Sequence, residues 1–377
     1  WGWAMKFDQR DLESLLVSRA GPQVSLLMPT HGPSLEAGQD PIRYERLIRS
    51  AMEDMTKARV ERSTRESVGD QCRRLASSAA FWRDRSQGLA VYATGDELWF
   101  FRVPISLEEL AVVGPEFEIA PLAPLMDPQH FWMVAVSRSG VRLYDGTAFG
   151  VEEVTVKDAP SGLEDVTQYY KFEKQLQFRQ AATAGRGTQV AMFHGHGIGE
   201  IRDRELVLQY LRAVDRSVRR ALPSPEAPLV VCGPGEVPGL FRQVSHHVGL
   251  IDRQLEIHPD GAGPAELHER SLELVREVLE APAAEATRRL DALAGTGKTS
   301  DTIGEMLPAA SQGRVDTLLV PPSDRKWGLF ERGTAAVHAE RRPGDVELVN
   351  LIVVLTLRHG GQVVSVGDRP LTALFRY

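Results

Sequence analysis

Helical periodicity dominates the polar regions of the first third of the chain. Apolar positions recur every three to four residues in 8–19, 41–60 and 65–86, which predicts three amphipathic helices. In the third range, Phe81 and Trp82 fall near the apolar face.

Strand signals separate these helices. Residues 24–31 form a continuous apolar run, and residues 88–104 contain two runs around a Thr-Gly-Asp turn. Both patterns are typical of β-strands. The proline-rich segment 115–128 predicts a linker, so we place the first domain boundary at residue 127.

The middle of the chain begins with a hairpin pattern, in which two alternating runs within 131–156 surround Ser-Arg-Ser-Gly. A strongly amphipathic helix is predicted at 203–222, and 227–244 reads as a strand, a glycine turn and a helix. The glycine-containing break at 258–264 places the second boundary after residue 258. The predicted apolar side of the helix comprises Leu206, Leu208, Tyr210, Leu211, Val214 and Val218.

The last third alternates again between helix and strand. Helices are predicted at 264–294 and 345–358, strands at 313–322 and 326–331, and two closing strands in QVVSV and ALFRY. The whole pattern predicts an α/β protein with three domains. These are an N-terminal α/β domain at 1–127, a middle domain at 128–258 and a C-terminal domain at 259–377.

Charge narrows the partners that the protein can have. The chain has a formal charge of −7, which argues against a surface covered with phosphate contacts. Residues 171–220 nevertheless contain ten basic residues against five acidic ones. A positive middle domain on an acidic protein is what local contacts to an RNA backbone require.

Location follows from what the sequence lacks. The strongly apolar run at 351–357 is too short to cross a bilayer, and the first residues do not resemble a signal peptide. Two cysteines, Cys72 and Cys232, provide no disulfide framework. We therefore expect a cytoplasmic protein that binds neither membrane nor DNA.

The stretch 184–200 is unusually rich in glycine and has three interpretations. It is a mobile loop that reaches a large RNA partner, or a site in which His194, His196 and Glu200 hold a metal, or a glycine-rich turn. Because the sequence places no third strong ligand, we predict no metal and no cofactor. The candidate RNA-binding residues are Gly185, Arg186, Gly187, Gly195, Gly197, Arg202, Arg204, Arg212 and Arg216.

Two further motifs imitate functional loops. Residues 292–299 satisfy a loose phosphate-loop pattern, but a helix rather than a strand precedes them, so we interpret them as a helix end and a turn. Gly360-Gly361-Gln362 spells the tripeptide with which release factors hydrolyse peptidyl-tRNA. It lies between an apolar segment and a strand, so we interpret it as a helix end with a left-handed glycine.

Several segments together resemble a known family. GRVDTLLVP at 313–321 and the ending HGGQVVSVGDRPLTALFRY are similar to the third domain of the archaeo-eukaryotic release factor and Pelota superfamily. PLVVCGPGEVPGLF is similar to its middle domain, and FHGHGIG with ELHERSLELV resembles its bacterial branch, the bacterial archaeo-eukaryotic-type release factors. The resemblance covers roughly residues 128–377.

This resemblance implies an RNase H-like middle domain and an α/β/α sandwich as third domain, related to kink-turn RNA-binding ribosomal proteins. It also implies binding in the ribosomal A site, with the middle domain directed at the peptidyl-transferase centre. The implied partners are ribosomal RNA and P-site peptidyl-tRNA, and a translational GTPase is left open.

The chain departs from the family pattern at both functional motifs. The catalytic loop position holds Gly185-Arg186-Gly187-Thr188-Gln189, so Gln189 is the candidate catalytic residue, with His194 and His196 as alternatives. The codon-reading motif Asn-Ile-Lys-Ser is absent, since the chain contains one asparagine, Asn350.

Three hypotheses follow. The first is a ribosome-associated factor that binds the A site for rescue, hibernation or release without reading a stop codon. The second is a peptidyl-tRNA ester hydrolase with a degenerate catalytic loop. The third is an RNA-binding or protein-interaction module unrelated to ribosomes.

Overall fold

A computed structural model describes residues 7–31, 38–83, 86–165, 196–367 and 369–377. The chain forms two compact units. One unit comprises Trp1–Pro128 and Pro282–Tyr377, and the other comprises Gln129–Ala281. The predicted three-domain division at residues 127 and 258 stays a prediction.

The N-terminal part of the first unit is a four-stranded antiparallel sheet with helices on one face. The strands have the order β3-β2-β1-β4. Core residues such as Leu26, Val91 and Ile48 join the sheet to the helices. The elements are α1 Gln9–Leu16, β1 Gln23–Pro29, α2 Asp40–Lys57, α3 Arg62–Ala76, β2 Gly88–Ala93, β3 Leu98–Val103, β4 Leu110–Gly114 and the short α4 Ala123–Met126.

Two predictions in this part were wrong. Helix α3 ends at Ala76, and Phe81 and Trp82 follow it in a 3-10 turn. The Trp82 Nε1–H donates to the Ala76 carbonyl at 3.0 Å, so the aromatic residues fold back on the helix end instead of extending it. Residues 115–128 are not an open linker, because their apolar side chains are buried.

The second unit has a five-stranded sheet of order β7-β6-β5-β8-β9. Strands β5, β6 and β7 are antiparallel neighbours, whereas β5, β8 and β9 run parallel. This is the mixed sheet that the RNase H-like prediction requires, and the predicted hairpin around Ser-Arg-Ser-Gly is confirmed. The elements are β5 Phe131–Val136, β6 Val141–Thr147, β7 Gly150–Val154, α5 His196–Ala221, β8 Leu229–Gly233, α6 Val237–Val244, β9 Leu250–Glu256 and α7 Pro264–Leu293.

Both faces of this sheet are covered. Helices α5 and α6 bury one face around Val134 and Val231. The first part of α7 covers the other face, where Leu267 and Val275 contact residues such as Met133. Because side chains alternate along a strand, the two faces need separate apolar sets, and the β5 sequence FWMVAV provides both.

The C-terminal part of the first unit has a four-stranded sheet of order β10-β16-β11-β15 and a three-stranded sheet of order β13-β12-β14. The last turns of α7 pack on Leu319, and α8 and α9 also contact the larger sheet. The predicted helix-flanked sheet is therefore confirmed. The elements are β10 Thr299–Ser300, α8 Ile303–Ser311, β11 Val315–Val320, β12 Trp327–Glu331, β13 Thr334–His338, β14 Val346–Glu347, α9 Leu348–Arg358, β15 Gln362–Ser365 and β16 Thr372–Phe375.

Asn350, the single asparagine of the chain, joins the two parts of the first unit. It is 2% exposed on α9. Its Oδ1 accepts hydrogen bonds from the backbone N–H groups of Ile119 at 2.8 Å and Ala120 at 3.0 Å, and its Nδ2 donates to the Phe117 carbonyl at 2.9 Å. One side chain thus satisfies three backbone groups of the segment that the sequence predicted to be a linker.

A second link between the two parts of the first unit lies further along α9. Arg358 donates from both terminal nitrogens to the carboxylate of Glu116 at 2.5 Å, and its Nε donates to the Leu16 carbonyl at 2.7 Å. A bidentate, half-buried guanidinium–carboxylate pair is stronger than an ordinary surface pair.

Two buried carboxyl groups, Glu347 and Glu118, lie near Asn350. Glu347 caps α9, because its oxygens accept the backbone N–H groups of Lys326 at 2.7 Å, Val349 at 3.2 Å and Asn350 at 2.5 Å. Burial raises the pKa of Glu347 to about 7. Burial and the nearby charge of Glu347 raise the pKa of Glu118 well above its ordinary value.

We expect Asn350→Leu to lower the free energy of unfolding by about 3 kcal/mol or more, because three buried backbone groups lose their partners. Urea denaturation of the whole chain measures the effect. The matched control is Thr356→Val on the same helix, since the buried Thr356 hydroxyl has no hydrogen-bond partner among the described residues. The control should match or exceed the stability of the unaltered protein, and equal loss in both variants would contradict the role of Asn350.

The buried acid pair predicts a pH dependence. A carboxyl whose pKa is raised on folding holds its proton more tightly in the folded state. Its stabilising contribution is therefore present below about pH 4.5 and is lost as the pH rises through about 7. Glu118→Gln should reduce this loss by on the order of 1–3 kcal/mol at pH 8, because it removes the neighbouring charge. Urea midpoints between pH 5 and 8 test the sign, and parallel curves for both proteins would contradict it.

Candidate nucleic-acid interface

The candidate interface is built on helix α5, whose two faces differ in chemistry. The buried face follows the 3.6-residue period and comprises Val207, Tyr210, Leu211, Val214 and Val218. Leu208 is partly buried and packs against this core as predicted, and Leu206 is partly buried. The helix is fixed further by the Tyr210 hydroxyl, which donates to the Ser137 carbonyl at 3.0 Å.

Arginines occupy the opposite face. Arg212, Arg216 and Arg220 are exposed and follow one another at four-residue intervals, so they lie on one side of the helix. Arg204 lies two such intervals before Arg212 and is also exposed. At a rise of about 1.5 Å per residue, the four define a stripe about 24 Å long. We call these four residues the arginine stripe.

Some of the basic residues of α5 are held by acids. Arg212 lies 3.3 Å from Glu205, but both side chains are about half exposed, so water screens this pair. Arg219 is held more firmly. Its Nε donates at 2.9 Å to the buried Asp215, which also accepts the Ser245 hydroxyl at 2.7 Å.

Arg219 therefore has a structural role, which the sequence did not reveal. Arg204, Arg216 and Arg220 form no ion pair with any of the described residues. Between 203 and 220 the helix has five arginines against three acids. The surface that results is positive and presents planar guanidinium donors, which suit phosphate oxygens.

The structure describes some of the predicted site residues but not others. Gly185, Arg186, Gly187, Gln189, His194 and Gly195 lie outside the described residues. The backbones of His196, Gly197 and Arg202 belong to α5, which begins seven residues before the predicted 203. The end of the predicted glycine-rich loop is thus helical, because helix propagation outweighs a cost of about 1 kcal/mol for each glycine.

This correction also affects the metal interpretation. It assumed that alternate residues share one face of a strand, but His196 and Glu200 lie on a helix. Within the described ranges, no three His, Cys, Asp or Glu side chains come close enough together to hold a metal ion.

A polar cluster at the carboxyl end of β5 was not predicted from the sequence. The Ser137 hydroxyl donates to Asp260 at 2.9 Å, and the Ser139 hydroxyl donates to the same carboxylate. The hydrogen bond from Ser139 lowers the pKa of Asp260. Since Asp260 is an acceptor with both hydroxyls directed at it, the cluster fastens the 259–261 turn to the β5–β6 turn and offers no activated nucleophile. The separate turns were visible in the sequence, but their pairing depends on topology.

The cysteines are equally inert. Cys72 and Cys232 are free and buried. Burial raises the pKa of Cys72 to about 11 and that of Cys232 to about 12. Neither thiol is a thiolate near neutral pH, so neither is an activated nucleophile. His247 is a packing residue, because it is buried and its Nε2 lies 2.6 Å from the Ala227 carbonyl oxygen.

The two segments that resemble functional loops in sequence, 292–299 and 360–362, are structural turns. Gly295 and Gly297 have left-handed backbones between the end of α7 and the short strand β10, so helix precedes strand, the reverse of a phosphate loop. Gly360 ends α9 with φ +70°, and its N–H donates to the Leu357 carbonyl. At Gly361, a Cβ would lie 2.7 Å from Thr356 Cγ2 and 2.8 Å from the Val315 carbonyl oxygen. Gln362 begins β15 directly.

No helix of the described ranges combines the length and the apolar character needed to cross a membrane.

The sequence comparison identifies a family for the middle of the chain. The model of the family described as bacterial archaeo-eukaryotic release factor family 3 matches residues 130–314. The resemblance predicted from the sequence motifs is therefore confirmed over this range. No curated protein matches the chain in sequence.

Solved structures give more distant likenesses. The archaeal translation termination factor aRF1 is 15% identical, with 98% of this chain and 96% of that chain covered and a TM-score of 0.26. Pelota from Archaeoglobus fulgidus is 14% identical, with 77% and 79% covered and a TM-score of 0.31. Dom34 from S. cerevisiae is 8% identical, with 77% and 80% covered and a TM-score of 0.34. At these scores they add nothing to the family match.

The structural role of residues 360–362 predicts opposite results for two neighbouring substitutions. Gly361→Ala should lower the thermal unfolding temperature by several degrees, because the new Cβ meets a backbone oxygen and a side chain at contact distances that cannot relax cheaply. Gln362→Ala should leave it unchanged, because Gln362 is exposed. Differential scanning fluorimetry measures both, and a stable Gly361→Ala variant would contradict the assignment.

Proposed function

We propose that this chain, whose middle matches a release factor family, is a ribosome-associated translation factor. It binds the A site for rescue, hibernation or release, and it does not read a stop codon. The arginine stripe of α5 is the observation that carries the proposal, since it gives the matched region a surface suited to an RNA backbone.

The stripe supports RNA contact through its spacing as well as its charge. Successive members at a four-residue interval lie about 6 Å apart along the helix axis. Guanidinium groups with this spacing can each reach a different phosphate oxygen, whereas guanidinium groups in a single cluster would compete for the same phosphate oxygen. Anchoring of the helix by its buried face holds the donors in place before binding, which reduces the entropy lost on association.

The charge of the whole chain limits the mode of binding. At −7, the protein is repelled by RNA except where arginines face it. Binding should therefore involve few phosphates, and its salt dependence should be moderate and should come from the stripe.

The absence of codon reading has structural support. The single asparagine, Asn350, is buried, and both ends of its carboxamide are bonded to backbone groups. It cannot reach a base without opening the first unit. Asparagine therefore cannot supply in this chain the codon-reading chemistry that the family motif would provide.

Cosedimentation with 70S ribosomes at two salt concentrations tests the proposal. The unaltered protein should pellet at low salt and be released at high salt. The triple variant Arg212→Gln, Arg216→Gln and Arg220→Gln should bind at least tenfold more weakly and lose a salt-dependence slope of about 2–3, because each phosphate contact contributes about one unit.

A matched control distinguishes the effect of the arginine stripe on binding from the effect of the net charge. Arg270, Arg276 and Arg288 are exposed on α7, another long helix, and their replacement by Gln changes the net charge equally. This control should pellet like the unaltered protein. No pelleting of the unaltered protein, or equal loss in both triple variants, would refute the proposal.

The enzymatic hypothesis needs a separate assay. Peptide release from ribosome-bound peptidyl-tRNA should be measured for the unaltered protein and for Gln189→Ala, His194→Ala and His196→Ala. Release that depends on one of these side chains makes the factor a hydrolase. Binding without release makes it a rescue or hibernation factor.

A further inference from the structure

A cleft in the first unit brings together segments that are far apart in the sequence. One side comprises the end of α2 and residues 113–115 at the end of β4, and the other comprises residues 341–346 before α9. The cleft has a volume of about 710 Å³. This size is within the range of about 300–1,000 Å³ that is usual for small-molecule sites.

The two carboxylates of the cleft are already bonded. Asp54 lies 3.2 Å from both the Lys57 ammonium and the Arg341 guanidinium. Asp345 accepts from His338 Nδ1 and from the backbone N–H of Arg342, both at 2.9 Å. Because both acids are compensated from within the protein, they oppose an incoming anion only weakly.

Cationic donors remain available on both sides. Lys57 pairs with Asp54 but is 66% exposed at the end of α2, so water screens this pair and the ammonium stays accessible. The Arg342 guanidinium is exposed and forms no ion pair or side-chain hydrogen bond with the described residues. Arg341 also lines the cleft, and stacking at 4.4 Å over the Trp327 ring fixes its guanidinium. An anion that entered the cleft would meet cations from both of its sides.

The rest of the lining is uncharged, and two of its N–H groups, those of Ala58 and Val60, are already bonded to main-chain carbonyls. It comprises Gly21, Pro22, Ala58, Val60, Val113, Gly114, Pro115, Pro343, Gly344 and Val346. The three prolines have no N–H, so the cleft is badly suited to a peptide, which is normally held by main-chain hydrogen bonds. Flat proline and valine surfaces instead suit a planar ring.

We propose that this cleft binds a nucleoside phosphate, with the base against the proline and valine surfaces and the phosphate between Lys57 and Arg342. The shared chemistry is an aromatic base joined to a phosphate, and its source is either a free nucleotide or an unpaired nucleotide of RNA. The proposal does not rest on ribosome binding. An occupant would connect two segments that lie more than 200 residues apart in the sequence, and it would therefore stabilise the first unit.

Calorimetric titration of the full chain tests this site with ADP, GDP, adenosine, inorganic phosphate and a six-nucleotide single-stranded RNA. We expect saturable binding of a mononucleotide or of the RNA, and at least tenfold weaker binding of adenosine and phosphate, which each supply half of the chemistry. A mononucleotide that binds as well as the RNA identifies a free nucleotide as the occupant. RNA that binds at least tenfold more tightly identifies an RNA nucleotide.

Variants test whether the ligand binds in the cleft. Lys57→Ala and Arg342→Ala should each weaken binding at least fivefold, and the exposed Arg288→Ala on α7 should leave it unchanged. Circular dichroism and the unfolding temperature establish that each variant is folded. The proposal is overturned if neither mononucleotide nor RNA binds saturably, if adenosine binds as tightly as ADP, or if the cleft variants bind like the Arg288 control.

Discussion

The carboxamide of Asn350 is the contact on which the first unit depends. It replaces three backbone hydrogen bonds that the segment 117–120 cannot make within a sheet or helix. A buried N–H or carbonyl without a partner costs about 1–3 kcal/mol, so no apolar residue can take this place. The contact also joins residues separated by some 230 positions in the chain. The two ends of the sequence are thereby held in one compact unit although the second unit is inserted between them.

The same region shows how the protein tolerates buried charge. Glu347 is bonded to three backbone N–H groups, which makes its position part of the α9 cap, whereas Glu118 is buried nearby and raised in pKa. Arg358 at the end of α9 adds an ionised pair with Glu116. Asn350 and Arg358 thus fix the position of α9 against the 115–120 segment, whereas Glu347 fixes the start of the helix.

Local pattern revealed most of the elements but not their pairing. Helices α5 and α7, the hairpin at 131–147 and the glycine turn at 360 follow from periodicity and turn chemistry within a few residues. The misinterpretation of 115–128 has a different cause, since proline-rich sequence signals a break in regular structure but does not show what covers it. Contacts from residues distant in sequence, among them Asn350, Tyr92 and Ser25, make that break part of the core.

The candidate interface divides in the same way. The four-residue spacing of Arg212 and Arg216 was readable from the sequence, because a helix converts spacing into a common face. The role of Arg219 was not, because Asp215 lies four residues earlier like the partner of an ordinary surface pair, and only the packing of α5 on α6 buries Asp215 and bonds it to Ser245. Burial of the partner acid therefore distinguishes Arg219 from the arginine stripe on the same helix.

The tripeptide at 360–362 shows why identity of sequence is a weak guide to chemistry. A catalytic loop needs glycines so that the backbone can enter a crowded site and move there. Here Gly360 is needed for a left-handed helix end, and Gly361 for close approach to Thr356 and Val315. Both glycines are committed to packing, and Gln362 is paired in a strand. Any ester hydrolysis by this chain must therefore use residues outside 360–362, whatever the tripeptide does in release factors.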